Sequence, residues 1–221
     1  MLAALLAGCG TRAVAPPHWD AAAPEVQRLW HMRSAQTRSC ALLASAEYTG
    51  PPGDLSFTLE IFFREPGLYL LRGRGTLGVE GFRARVQGDS ITVLLERQKR
   101  GYRGPARELP DASAREMWRL LGEALPWVVG EDPLPEIAFQ MHTVQSGSRP
   151  EHVQIESDGA RLDLQYARYR ADYPYWHLRE VQGERAGARI RLEIRQQLYN
   201  PDLDSTLFEL NLPAGTLPLL D

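Results

Sequence analysis

Two hydrophobic periods divide the chain. Between Asp20 and Gln36 the apolar positions recur at helical spacing. Val26, Leu29, Trp30 and Arg33 share one face at i, i+3, i+4 and i+7, with the Arg33 stem lying along it. Asp20 is the predicted N-cap, and Pro24 suits the first turn. From about Arg38 the period falls to two. Leu55, Phe57, Leu59, Ile61 and Phe63 alternate with Ser56, Thr58 and Glu60, as in a strand with one buried face. Pro66-Gly67 marks a turn before Leu68-Tyr69-Leu70-Leu71. A glycine-rich stretch, Gly73 to Gly81, precedes Phe82 to Val86, and Gly88-Asp89 precedes Ile91 to Leu95. Short strands at hairpin spacing predict an antiparallel meander, ended by Pro105 and Pro110.

Asp111 to Leu125 returns to the helical period. Ser113 and Glu116 have capping-box spacing; Met117, Leu120, Leu121 and Ala124 form the stripe, with Trp118 beside it, and Pro126 is the expected stop. A loop is expected over 130–136. Strands are then predicted at Glu136–Thr143, His152–Glu156, Leu162–Tyr166, Trp176–Val181 and Ile190–Ile194, with Thr206–Leu212 as the last ordered element. Between strands the connections are too short for crossover helices, so the strands are antiparallel. The order helix, strands, helix, strands predicts a mainly β (α+β) chain: one large curved sheet whose concave face the helices cover.

Composition narrows the function. The 221 residues contain 43% hydrophobic residues, enough for a real core. The net charge is −3, which gives no electrostatic case for nucleic acid. Nearly all positive charge is arginine; Lys99 is the only lysine. No apolar stretch approaches the ~20 residues of a membrane-spanning helix. His18, His31, His142, His152 and His177 show no i, i+4 pair, and there is no G-x-S-x-G, so no metal, catalytic residue or cofactor is expected. Gly73-Arg74-Gly75-Thr76-Leu77-Gly78 matches G-x-G-x-x-G, but a strand follows it where dinucleotide binding needs a helix. A wide hairpin loop with Leu77 at its tip is expected, with Leu77 either folded back on the core or exposed. Asp202 and Asp204 lack the spacing of a calcium loop and read as a turn. Trp118 and Trp127 flank the second helix's packing face, as core or as the lining of an apolar cavity.

The N-terminus carries an address. Leu2 to Ala7 leads into Leu6-Ala7-Gly8-Cys9, which looks like a bacterial lipobox. Residues 1–8 are then a signal peptide, 9–19 a lipidated tether and 20–221 the folded domain. The apolar run is short and has no Lys or Arg before it, as expected of a signal that begins upstream of Met1. Stable anchoring takes two hydrophobic signals, and a mature lipoprotein cysteine carries two or three acyl chains, such as palmitate. Gly10 rather than Asp after Cys9 favours the outer membrane. Cys40 is then left without a partner, as a small core residue.

Several blocks together resemble a known family. These are Glu65-Pro66-Gly67-Leu68-Tyr69-Leu70-Leu71-Arg72-Gly73, Gly78 with Phe82, Gly88-Asp89-Ser90-Ile91-Thr92-Val93-Leu94-Leu95 and Tyr102-Arg103-Gly104. The helices with Trp30 and at 111–125, and Phe208-Glu209-Leu210-Asn211-Leu212-Pro213, add to them. The chain from about residue 20 is similar to LolB-like proteins of the LolA/LolB lipoprotein carrier and receptor superfamily. That resemblance implies a half-open β-barrel with a helical lid and a cavity for the acyl chains of a lipid or lipoprotein. It places Phe57, Leu59, Ile61, Leu70, Val93, Trp118, Leu121 and Trp127 as candidate cavity lining. It makes Leu77 a candidate membrane-contact residue, although Glu80 puts an acid beside that tip. The expected partners are acyl chains, the membrane through Cys9, and a periplasmic carrier protein; the chain is expected to be monomeric and not an enzyme. The alternative is a structural or interaction lipoprotein whose interior is filled by side chains. A hydrolase would require a polar cluster of perturbed pKa in a cleft.

Overall fold

The computed structural model describes residues 19–21, 24–51, 53–75, 77–131, 138–144, 151–157, 160–172 and 175–219. Among these residues two helices, α1 (Pro24–Ser34) and α2 (Ala112–Val129), accompany thirteen strands. In the first half these are β1 (Trp19–Ala21), β2 (Ser39–Thr49), β3 (Leu55–Arg64), β4 (Leu68–Arg74), β5 (Glu80–Gln87), β6 (Ser90–Leu95) and β7 (Arg100–Pro105). In the second they are β8 (Ala138–Val144), β9 (His152–Ser157), β10 (Ala160–Asp172), β11 (Tyr175–Arg185), β12 (Ala188–Tyr199) and β13 (Leu217–Pro218). All join one curved, non-closed sheet in the order β1-β8-β9-β10-β11-β12-β2-β3-β4-β5-β6-β7-β13. Neighbours run antiparallel, except that β13 lies parallel to β7. The two meanders meet at a central seam, where β2 pairs with β12 from Cys40↔Tyr199 to Thr49↔Arg189.

Alternation sorts the side chains onto two faces. The concave face carries Leu42, Ala44 and Ala46 of β2, Leu59, Ile61 and Phe63 of β3, Ile91 and Val93 of β6, and Ile190, Leu192 and Ile194 of β12. They share one continuous cluster with α1 and α2. A smaller cluster lies on the reverse face, where Leu68, Leu70 and Phe62 meet Leu203, Leu207 and Phe208. Here the expected terminal element differs: Ser205–Phe208 forms one 3-10 turn, with Asp204 Oδ1 accepting from the Thr206 N–H at 2.9 Å.

Both helices differ from expectation at their ends. Asp20 pairs with Thr143 in β1, so α1 starts at Pro24 without it. The N-cap of α2 is Asp111, which accepts from the Ala114 N–H at 2.6 Å; Glu116 instead faces Arg185. Pro126 does not stop the helix, which runs on to Val129 and ends at Gly130 in the left-handed region, φ 81°. A mid-helix proline costs about 3 kcal/mol. Trp127, Val128 and Val129 are all buried, and each full burial is worth about 1.5–3 kcal/mol. Their sum outweighs the proline.

Candidate functional site

The helices close over the concave face through specific contacts. At the C-terminal end of α2, Trp127 stacks on Trp30 of α1 with ring centroids 5.6 Å apart. The Arg33 guanidinium lies 5.2 Å from the Trp30 ring and 5.0 Å from the Tyr199 ring, and donates to the Tyr199 hydroxyl. The predicted stem packing of Arg33 therefore ends in a buried cation over two aromatic faces. One residue past the Gly130 cap, Glu131 accepts from the Gly67 N–H at 3.0 Å and from the Tyr69 hydroxyl. Burial, reinforced by the Glu131 charge, raises the Tyr69 phenol well above its usual range. Midway along α2, Arg185 of β11 is 1% exposed and reaches Glu123 at 2.5 Å and Glu116 at 3.3 Å. These contacts staple α2 to both halves of the sheet.

The predicted lining residues divide between sites. Leu59, Ile61, Val93, Trp118, Leu121 and Trp127 lie together in the main cluster, none more than 6% exposed. Phe57 is half-buried at its margin. Leu70 is a correction: it belongs to the reverse-face cluster beneath Phe208 and cannot line the concave side. Strand alternation gives the reason, since Tyr69 and Leu71 take the concave face and Leu70 must point the other way.

Aromatic rings mark the margin of this interior. Phe82 packs edge-on against Phe57 and against Trp118, each at 5.8 Å between centroids. Gly73, the cross-strand partner of Phe82, makes room for it. A Cβ at Gly73 would stand 2.0 Å from Phe82 Cε1. Phe82 was not among the predicted lining residues; its signal is a glycine opposite an aromatic in adjacent strands, visible only once the register is known.

This margin lies at the end of the sheet where the turns at 50–54, 75–79 and 96–99 leave it. Leu77 is 90% exposed at the tip of the 75–79 turn, so it does not fold back on the core. The acid beside it is paired: Arg83 reaches Glu80 at 2.5 Å and Glu96 on the next hairpin at 2.8 Å. Cys9 lies outside the described residues.

A cavity of about 210 Å³ opens where β11 and β12 part company, beyond their last pair at Glu180↔Glu193. Leu178, Ile194 and Leu198 line it. Gln197 spans the gap, accepting from the Leu178 N–H at 3.2 Å and donating to the Val128 carbonyl at 3.2 Å. Cys40 is buried as predicted, and burial pushes its thiol up to about 12 despite a hydrogen bond with Gln197 and the nearby Arg33 charge. Among the described residues, no group of three or more His, Cys, Asp or Glu is placed to hold a metal ion. No described helix is long and apolar enough to cross a membrane.

No family profile matches the sequence, and no curated protein matches it. Solved structures do. A LolA-superfamily protein from Nitrosomonas europaea aligns over 85% of this chain and 99% of its own, at 11% identity and a TM-score of 0.54. A Vibrio parahaemolyticus domain, described as an outer membrane lipoprotein-sorting protein, aligns over 82% and 94%, at 12% identity and a TM-score of 0.52. A DUF1329-family protein from Desulfovibrio piger aligns over 85% and 98%, at 13% identity and a TM-score of 0.54. At such identities the likeness concerns the backbone: the curved open sheet with its two covering helices is the fold of the LolA superfamily.

Proposed function

We propose that this protein is a non-enzymatic bacterial envelope lipoprotein that binds the acyl chains of a lipid or lipoprotein between the concave sheet face and the two helices. One observation carries this reading. The interior is apolar and lined by rings, and its margin at Phe57 and Phe82 is only half-buried. The helices rest on it in a closed arrangement, so cargo enters by displacing Phe82 and Trp118. A chain burying about eight methylenes gains roughly 6 kcal/mol at ~0.8 kcal/mol each. That exceeds the roughly 1–3 kcal/mol held in the two ring contacts of Phe82. Acyl chains on Cys9 tether the protein to the periplasmic face of the outer membrane, Leu77 touches the bilayer, and a periplasmic carrier delivers cargo to a monomer.

The test is uptake of a fluorescent fatty acid by the full chain carrying Cys9→Ser. Saturable binding is expected, abolished by Leu121→Trp, which adds ring volume to the packed interior that an acyl chain must enter. An absence of uptake by the Cys9→Ser protein refutes the reading. A second reading has its own support, since the candidate lining side chains fill the concave face. On that reading the protein is an interaction lipoprotein without lipid cargo. Pull-down then recovers one defined protein partner, and Leu77→Glu leaves growth unchanged.

A further inference from the structure

Exposed apolar side chains are unevenly placed on this molecule. Among the described residues six large hydrophobics are well exposed. Four of them, Leu55, Leu77, Val79 and Leu217, sit at the end of the sheet that carries the 50–54, 75–79 and 96–99 turns. Leu217 reaches this end because β13 lies beside Arg100, with the Leu217 N–H donating to the Lys99 carbonyl at 2.9 Å.

Charge is uneven at the same end. The hairpin between β6 and β7 carries Arg97, Lys99 and Arg100, between the Leu77 tip on one side and Leu217 on the other. None of the three makes an ion pair among the described residues; Arg100 donates to the Pro218 carbonyl at 3.0 Å. Glu80 and Glu96, on the adjoining strand and on the hairpin itself, are both taken up by Arg83. Asp54, on the 50–54 turn, is an exposed acid at the same end, and the exposed Glu47 and Glu184 further along it are paired with Arg191 and Arg189. Lys99 has a left-handed backbone, φ 51°, which closes the tight turn that holds Arg97 and Lys99 outward and exposed.

Apolar tips flanking cations on one rim match the layering of a membrane interface. Apolar side chains enter the acyl boundary, while long cationic side chains reach the headgroup phosphates. We infer that the β6–β7 hairpin, through Arg97, Lys99 and Arg100, binds the anionic headgroups of a phospholipid membrane surface and orients the open margin of the half-barrel toward it. The inference rests on the proposed bilayer contact of Leu77 and adds to it a lipid-charge preference carried by different residues.

The full chain carrying Cys9→Ser is tested by co-sedimentation with phosphatidylcholine vesicles, with and without phosphatidylglycerol. Wild-type sequence at these sites should bind the anionic vesicles more tightly, and salt should reduce the difference. At ~1 kcal/mol per basic side chain near an anionic surface, Arg97→Gln with Lys99→Gln should weaken binding to the anionic vesicles roughly 30-fold. Binding to pure phosphatidylcholine should not change. Leu77→Glu should weaken binding to both vesicle types; if it does not, the Leu77 reading fails while the charge preference stands. Equal binding of the parent to both vesicle types overturns the inference. So does an unchanged preference in the double variant with native circular dichroism, or full competition by inorganic phosphate at matched ionic strength.

Discussion

Replacing Gly73 by alanine adds one methyl group, and the structure gives that atom no room. It would meet three ring atoms of Phe82, at 2.0, 2.5 and 2.7 Å. Gly73 does not occupy the left-handed region, so alanine suits its backbone and the whole penalty falls on the ring. Phe82 must rotate away, breaking its edge contacts with Phe57 and Trp118. Each such pair is worth about 0.5–1.5 kcal/mol. With roughly a further 1 kcal/mol for apolar surface returned to water, the expected loss is about 2–4 kcal/mol. For a domain of this size that lowers Tm by about 4–16 °C, at roughly 2–4 °C per kcal/mol. Urea unfolding followed by tryptophan fluorescence measures it, with Trp118 as a local reporter. The informative comparison is a double-mutant cycle. With Phe82→Ala in place, Gly73→Ala should cost under about 0.5 kcal/mol, since its clash partner is gone. An equal cost in both backgrounds would refute the assignment of Gly73 as the seat of the Phe82 ring.

Arg185→Ala removes the buried cation from Glu116 and Glu123, while Arg119 stays 3.5 Å from Glu123 and Glu116 is 34% exposed. It should cost about 1.5–3 kcal/mol, the range for a hydrogen bond to a charged group; chemical denaturation reads it, and a loss below about 0.5 kcal/mol contradicts the staple. Cys40 holds its proton in the folded state to about pH 12, against 9.0 when unfolded. The unfolded chain therefore binds fewer protons in that window, and the thiol's contribution, full below pH 9, is lost as pH rises toward 12. Burial raises the Tyr69 and Tyr166 phenols in the same direction. Tm measured against pH should fall on this alkaline limb, less steeply in Cys40→Ala; identical slopes would exclude the thiol as a contributor. Leu77→Glu should leave Tm within about 1 °C, because the side chain has almost no contacts to lose; a marked destabilisation would mean the tip packs on the body in solution.

The strands with clean alternation were legible in the sequence, and so was the sheet they form. From Leu59 to Phe63 one face is buried, and period two follows directly; Leu55, predicted on the same face, is exposed because the strand begins at the open end of the sheet. At Leu68-Tyr69-Leu70-Leu71 both faces are buried, so the pattern assigns no side to Leu70. Its cover, Phe208, arrives 138 residues later (208 − 70) and is no part of any local window. Strand β2 gives a weak apolar signal of its own because three of its inward residues, Cys40, Ala44 and Ala46, are small, and only Leu42 and Tyr48 on that face are large. Pro126 misled for an energetic reason: local propensity ends the helix, while burial of the next three residues extends it. The charged staple carries no local signal either, because Arg185 sits in the run Gly183-Glu184-Arg185, and only the register places it under α2.

The seam between β2 and β12 also governs how the chain can reach its fold. Cys40 pairs with Tyr199, a separation of 159 residues (199 − 40), and the seam joins two meanders that are otherwise local. Each meander can zip through hairpins, but β2 and β12 stay as raw edges until nearly the whole chain is available. Such long-range pairing is slow, because loop closure comes before any gain in contacts. An edge left open in that interval invites pairing with other chains. Late closure marks the nascent chain up to about residue 199 as the species in most need of a chaperone.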